Sequence, residues 1–134
     1  MTKSVAIVAG SYHKDKVEKM VEIVKTFCLE NDFLIEEVAW VPGAMEIPLQ
    51  TKRLLLRNSI EAVIVLGIIE KGKTDHGLVM GQAVTKAIID LQLVSMKPIG
   101  FGIIGPGAEE KQISERVEMH AKQAASAVLD MLSN

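Results

Sequence analysis

The stretch AVIVLGII, residues 62–69, decides the fold of this chain. It is apolar throughout, it is rich in β-branched residues, and it is too short for a typical helix. A run of this kind is typical of a strand buried on both faces, as in a parallel sheet. Similar apolar runs occupy residues 5–10 and 98–104, and residues 33–41 alternate. We therefore predict a four-stranded parallel sheet.

Segments whose apolar residues have helical spacing lie between and after these strands. Apolar residues recur every three to four positions in residues 14–31, 46–57, 78–94 and 112–132. The resulting order, βαβαβαβα, predicts an α/β protein with helices on both faces of the sheet and right-handed crossovers. The 134 residues suffice for one domain, 1–134.

Composition narrows the function classes. The net charge is −2 and no Lys/Arg run stands out, so we expect no nucleic-acid partner. We see no signal-peptide pattern and no apolar run approaching the roughly 18–20 residues of a membrane helix, so we expect no membrane partner. A single cysteine offers no disulfide or metal framework, which favours a cytoplasmic protein.

The segment 78–94 is apolar around nearly its whole circumference. Such a helix needs cover on more than one side, and a four-stranded sheet covers only one. We therefore predict a homo-oligomer with this helix in a subunit interface. Burial of the helix within a monomer is the alternative.

Residues 67–74 fit the P-loop pattern G-x-x-x-x-G-K-T. A nucleotide hydrolase also needs a carboxylate at the end of another strand to hold magnesium, and the other strands end without one. We therefore reject nucleotide hydrolysis. Backbone N–H groups of Gly72, Lys73 and Thr74, just before a helix, still predict an anion site. A helix cap made by Thr74 or Asp75 is the alternative.

Other candidate residues lie beside this segment or follow other strands, at the sheet edge where ligands of parallel α/β proteins bind. His76 is a candidate for proton transfer, or else a surface histidine. Glu46 either accepts hydrogen bonds from a ligand or interacts with a helix N-terminus. Tyr12 either stacks on a ring or covers the sheet end. His13 lies in a loop that can reach a ligand.

Four blocks appear in order along the chain: VPGAMEIP (41–48), G-x-T-x-H (72–76), GIIGPG (102–107) and QISERV (112–117). Together they resemble the 6,7-dimethyl-8-ribityllumazine synthase family, in particular its archaeal branch. The resemblance implies a flavodoxin-like three-layer α/β/α sandwich that forms pentamers or multiples of pentamers. It also implies condensation of 5-amino-6-(D-ribitylamino)uracil with 3,4-dihydroxy-2-butanone 4-phosphate, in riboflavin biosynthesis, without metal or cofactor.

The resemblance also implies roles for individual residues. Tyr12 would stack on the pyrimidine ring, and His76 would transfer protons. Arg116 of a neighbouring subunit would clamp the phosphate. The remaining implied contacts are Lys73 and Thr74 for the phosphate, and Ala44, Met45, Glu46, Ile68, Ile69, Glu70 and Phe101 for the ring and ribityl chain.

Two departures from the family pattern stand out: His13 replaces a usual asparagine, and Glu70 replaces an apolar residue at the ring-lining strand end. Two further interpretations stay open. One is archaeal-type riboflavin synthase, a relative that lacks the G-x-T-x-H block. The other is a non-catalytic flavin- or lumazine-binding protein.

Overall fold

A computed structural model describes residues 2–70 and 74–133. All the predicted strands and helices are present. The strands are β1 (Lys3–Gly10), β2 (Phe33–Val41), β3 (Ala62–Glu70) and β4 (Ile99–Ala108). The helices are α1 (Lys14–Glu30), α2 (Ile47–Leu55), α3 (His76–Ser95) and α4 (Glu110–Ser133), and a 3-10 turn, Ala44–Glu46, leads into α2.

The four strands form one parallel sheet in the order β2-β1-β3-β4. Helices α1 and α4 pack on one face, against side chains such as Ile7 and Ile64. Helices α2 and α3 pack on the other, against side chains such as Val8 and Val63. Alternate residues of β1 and β3 thus enter two separate cores, which explains their uninterrupted apolar sequence. The predicted flavodoxin-like α/β/α sandwich is confirmed.

Strand β4 differs from the sequence prediction, which ended it at residue 104. Ile68 pairs with Ile104, but Glu70, two residues later, pairs with Ala108, so β4 bulges in between. Gly105 in this bulge has a φ of 97°. A side chain there would be strained and would also collide with the carbonyl of Ile69. The bulge lets β4 continue pairing beyond the position where an ideal strand would separate.

Helix α3 is largely exposed on the single chain, so the alternative that the chain itself buries this helix is wrong. Only Gly81, Val84 and Ile88 are buried. The exposed large apolar side chains are Leu78, Val79, Ile89, Leu93 and Val94. Among the described residues, α3 is the one helix long and apolar enough to cross a membrane by length and composition, although Lys86 and Asp90 interrupt its apolar residues.

Helix α4 approaches β4 closely at Gly100. A Cβ atom at this position would overlap the backbone carbonyl of Ala124 on α4. The glycine is therefore required for the distance between helix and sheet.

We expect Gly100→Ala to lower the free energy of unfolding by about 2 kcal/mol, because α4 must move away from the sheet. Chemical denaturation measures the change. Gly10→Ala is the matched control: its Cβ would have no neighbour nearer than 3.7 Å. Equal destabilisation by both variants would contradict the steric explanation.

Candidate functional site

A pocket of about 420 Å³ opens at the carboxyl edge of the sheet. Three chain segments build it: the loop after β1, the segment between β2 and α2, and the end of β3 with the start of α3. Its lining consists of Tyr12, Pro42, Gly43, Ala44, Met45, Glu46, Ile68, Ile69, Glu70, Thr74, His76, Gly77 and Met80. In this strand order, β1 and β3 flank the point where the order reverses, which is where flavodoxin-like folds bind ligands.

The pocket brings together most of the residues predicted from the sequence. These are Tyr12, Ala44, Met45, Glu46, Ile68, Ile69, Glu70, Thr74 and His76. Four lining residues were not predicted: Pro42, Gly43, Gly77 and Met80. The available signal for Met80 was its position one helical turn after His76, on the same face of α3. Gly72 and Lys73, the rest of the predicted anion site, lie outside the described residues.

His76 is the first residue of α3, and it is exposed toward the pocket rim. Its backbone N–H donates a hydrogen bond to Oγ1 of Thr74 at 3.3 Å. Asp75 occupies the N-cap position but makes no capping hydrogen bond with its side chain. Thr74 therefore supports the helix start and also lines the pocket, and anion binding there stays a prediction.

The opposite wall comes from the 3-10 turn before α2. Ala44 is buried and anchors this turn, whereas Met45 is 58% exposed. The N–H of Glu46 donates to the carbonyl of Gly43 at 3.1 Å, which closes the turn. The exposed carboxylate of Glu46 is thus available as a hydrogen-bond acceptor at the pocket.

Tyr12, His13 and Glu70 form a polar cluster at the pocket rim. The Tyr12 hydroxyl donates to Oε2 of Glu70 at 3.0 Å, and Nε2 of His13 lies 2.9 Å from the same oxygen. The Tyr12 and His13 rings meet edge to face, with centroids 4.5 Å apart. His13 therefore reaches the site through Glu70 and does not line the pocket itself.

These contacts shift the pKa values of Glu70 and Tyr12 in opposite directions. Hydrogen bonds from His13 and then Tyr12 lower the pKa of the Glu70 carboxyl. The hydrogen bond to Glu70 raises the pKa of Tyr12, with smaller contributions from burial and from the carboxylate charge. At neutral pH the cluster therefore holds an ionised carboxylate and a protonated phenol. Because an ionised carboxylate only accepts, Nε2 of His13 is the donor.

Tyr12 is the only tyrosine in the chain, so tyrosinate absorbance reports this residue alone. We expect it to ionise above the ordinary value of about 10, and we expect Glu70→Gln to lower the midpoint toward that value. The titratable side chains that act on Glu70 from other elements are Tyr12, His13 and Lys16, and Glu70→Gln retains all three.

Glu46→Gln is the control for that titration, because Glu46 lines the same pocket without a hydrogen bond to Tyr12. It should leave the midpoint unchanged. A Glu70→Gln midpoint equal to that of the unsubstituted protein would contradict the bond between Tyr12 and Glu70.

Two predicted residues lie away from the pocket. Phe101 is in the middle of β4, opposite Val65, and its side chain is partly exposed. Arg116 is exposed on the first half of α4. Neither lines this pocket within one chain. Within residues 2–70 and 74–133, no group of three or more His, Cys, Asp or Glu side chains is placed to hold a metal ion.

The fold and site together define a flavodoxin-like α/β/α protein whose ligand pocket combines an aromatic side chain, carboxylates and a histidine. The family model described as 6,7-dimethyl-8-ribityllumazine synthase matches residues 2–134. The chain belongs to this family.

Several archaeal proteins named 6,7-dimethyl-8-ribityllumazine synthase are similar to the chain. The Methanothermobacter thermautotrophicus protein is 36% identical, over 95% of this chain and 91% of its own length. The Picrophilus torridus protein is 31% identical, over 96% and 93%. The Metallosphaera sedula protein is 41% identical over 72% of this chain, and the matching segment spans 64% of that relative's length.

Proposed function

We propose that this protein catalyses the condensation of 5-amino-6-(D-ribitylamino)uracil with 3,4-dihydroxy-2-butanone 4-phosphate to 6,7-dimethyl-8-ribityllumazine. The observation that carries the proposal is the pocket at the strand-order reversal, in which Tyr12, Glu46, Thr74 and His76 meet. Family membership supports the same activity. Riboflavin biosynthesis is the pathway to which this reaction belongs.

The reaction needs two substrates held close together, with protons moved between them. The 5-amino group of the uracil attacks the ketone carbonyl, and a first water leaves as a Schiff base forms. Phosphate is then eliminated, and the resulting enol becomes a carbonyl. The ribitylamino nitrogen attacks this carbonyl, and loss of a second water closes the ring of the lumazine. Holding both reactants in one pocket supplies much of the rate by proximity and orientation. No step in this sequence requires electron transfer, so the protein's own acids and bases suffice.

Each side chain has a role that its chemistry suits. Tyr12 stacks on the pyrimidine ring, and the carboxylate of Glu46 accepts hydrogen bonds from ribityl hydroxyls. Thr74 lies at the start of α3, where backbone N–H groups and the helix dipole attract the phosphate. His76 beside it transfers protons during Schiff-base formation and elimination.

We expect His76→Ala to lower kcat by about 100-fold, because the proton-transfer group is lost while the pocket wall stays in place. Spectroscopic detection of lumazine formation from the two purified substrates measures the rate. His120→Ala is the control, since His120 lies on α4, away from the pocket. An unchanged rate in His76→Ala would remove the proposed role of this histidine.

The same assay separates the remaining interpretations. Lumazine supplied alone should give no riboflavin, and both substrates together should give lumazine. Riboflavin from lumazine alone would identify a riboflavin synthase. Tight lumazine binding without any product would identify a non-catalytic binding protein.

The proposed assembly is a homopentamer or a multiple of it. The exposed apolar side chains of α3 need cover, and a second copy of the chain supplies it. Arg116 has no place in the pocket of its own chain, so we propose that it reaches a neighbour's pocket and clamps the phosphate with its guanidinium. We also propose a cytoplasmic location, which a single, buried, unpaired cysteine supports.

A shared site makes a prediction for mixed assemblies. Arg116→Ala should raise KM for the phosphorylated butanone. Co-expressed Arg116→Ala and His76→Ala subunits should then regain activity, because a site that takes His76 from one subunit and Arg116 from the next is intact in about a quarter of cases. Mass photometry of the same samples checks that the variants assemble. Activity no higher than the mean of the two parent variants would place both residues in one chain's site.

A further inference from the structure

The rim cluster of Tyr12, His13 and Glu70 joins two parts of the chain that the fold separates. Glu70 is the last residue of β3, whereas Tyr12 and His13 lie in the loop after β1. That loop leads into α1 on one face of the sheet, and the chain after β3 leads into α3 on the other. Oε2 of Glu70, which accepts from both Tyr12 and His13, is therefore a polar bridge across the pocket opening.

Tyr12 depends on this bridge for its orientation. Tyr12 is 51% exposed, so the other side chains of its own chain do not enclose the ring. Within the part of the chain that the structure describes, its hydroxyl bonds only to Glu70. A ring held at one end by a hydrogen bond keeps its place at the pocket wall, and an untethered ring of this exposure samples other rotamers.

His13 holds the bridge from a second side. Its backbone is left-handed, with φ 54° and ψ 49°, and its carbonyl accepts hydrogen bonds from the N–H groups of Lys16 and Val17. The start of α1 thus fixes the position of His13, and Nε2 donates to Glu70 from that fixed position. The Glu70 carboxylate is therefore held by His13, whose backbone is fixed at the start of α1. The same carboxylate in turn restricts the position of the Tyr12 hydroxyl.

We propose that Glu70 is a positioning residue that holds the Tyr12 ring in place for stacking, with His13 as its anchor, and so sets the affinity of the pocket for planar heterocycles. The proposal rests on the proposed function only in assigning the ring to a pyrimidine or lumazine. The phosphate site at the start of α3 lies outside this mechanism.

A double-mutant cycle on lumazine binding tests the link. Tyr12→Phe keeps the ring and removes the hydroxyl, and Glu70→Leu removes the carboxylate. We expect each variant to weaken the affinity for 6,7-dimethyl-8-ribityllumazine by about fivefold, measured by fluorescence titration. The double variant should be no weaker than either single variant, because both changes break the same bond. If the fold-loss of lumazine affinity in the double variant equals the product of the two single losses, the proposal is overturned.

Further variants separate positioning from general stability. Glu36→Leu is the matched control: Glu36 on β2 accepts a hydrogen bond from Ser59 at 2.9 Å, at the opposite edge of the sheet. It should leave lumazine affinity unchanged. His13→Asn keeps a residue type that tolerates the left-handed backbone and loses the ring, so it should also weaken lumazine binding. Unchanged affinity in His13→Asn would overturn the anchoring role of His13.

Kinetics supply a second readout. In Glu70→Leu, KM for ribitylaminouracil should rise more than KM for the phosphorylated butanone, and an equal rise in both would overturn the proposal. The double-mutant cycle measures lumazine binding and needs no catalytic turnover. Failure of the proposed function and failure of the positioning role of Glu70 can therefore be told apart. Coupled binding losses without lumazine formation would refute the proposed function alone, and lumazine formation with multiplicative losses would refute the positioning role alone.

Discussion

Parallel pairing of β1 with β3 at the centre of the sheet is the constraint on which the rest of the molecule depends. β2 pairs with the outer side of β1 and β4 with the outer side of β3, so the strand order reverses between the two central strands. The chain after β1 then turns to one face and the chain after β3 to the other. Their divergence leaves the crevice in which the pocket lies.

A crevice made by diverging loops lacks the backbone pairing that orders a sheet edge. At the pocket rim, hydrogen bonds between side chains order the diverging loops instead. Glu70 ends β3 with a carboxylate that two donors from the β1 loop hold ionised. Thr74 similarly supports the start of α3 beside His76. Tyr12, Glu70, Thr74 and His76 thus both shape the opening and line the pocket.

The predictable part of the structure is the part governed by local pattern. Apolar runs and helical spacing were enough to predict every strand and helix, and the rule for parallel sheets placed Tyr12, Glu46 and His76 at one edge. The bulge at Gly105 was not predictable, because it depends on the register between β3 and β4. The partners of Glu70 were not predictable either, since Tyr12 and His13 lie far from it in sequence and meet it only across the opening.

The sequence by itself determined the fold class and the edge at which the site forms, because apolar periodicity and the alternation of strands and helices are carried by near neighbours. Most of the side chains that line the site followed from the resemblance to the family. Only the tertiary structure decided which side chains bond to one another. It turned Glu70 toward Tyr12 and His13, separated Arg116 and Phe101 from the pocket, and left one face of α3 uncovered. These outcomes depend on distances between segments remote in sequence, which follow only from how the helices and sheet pack.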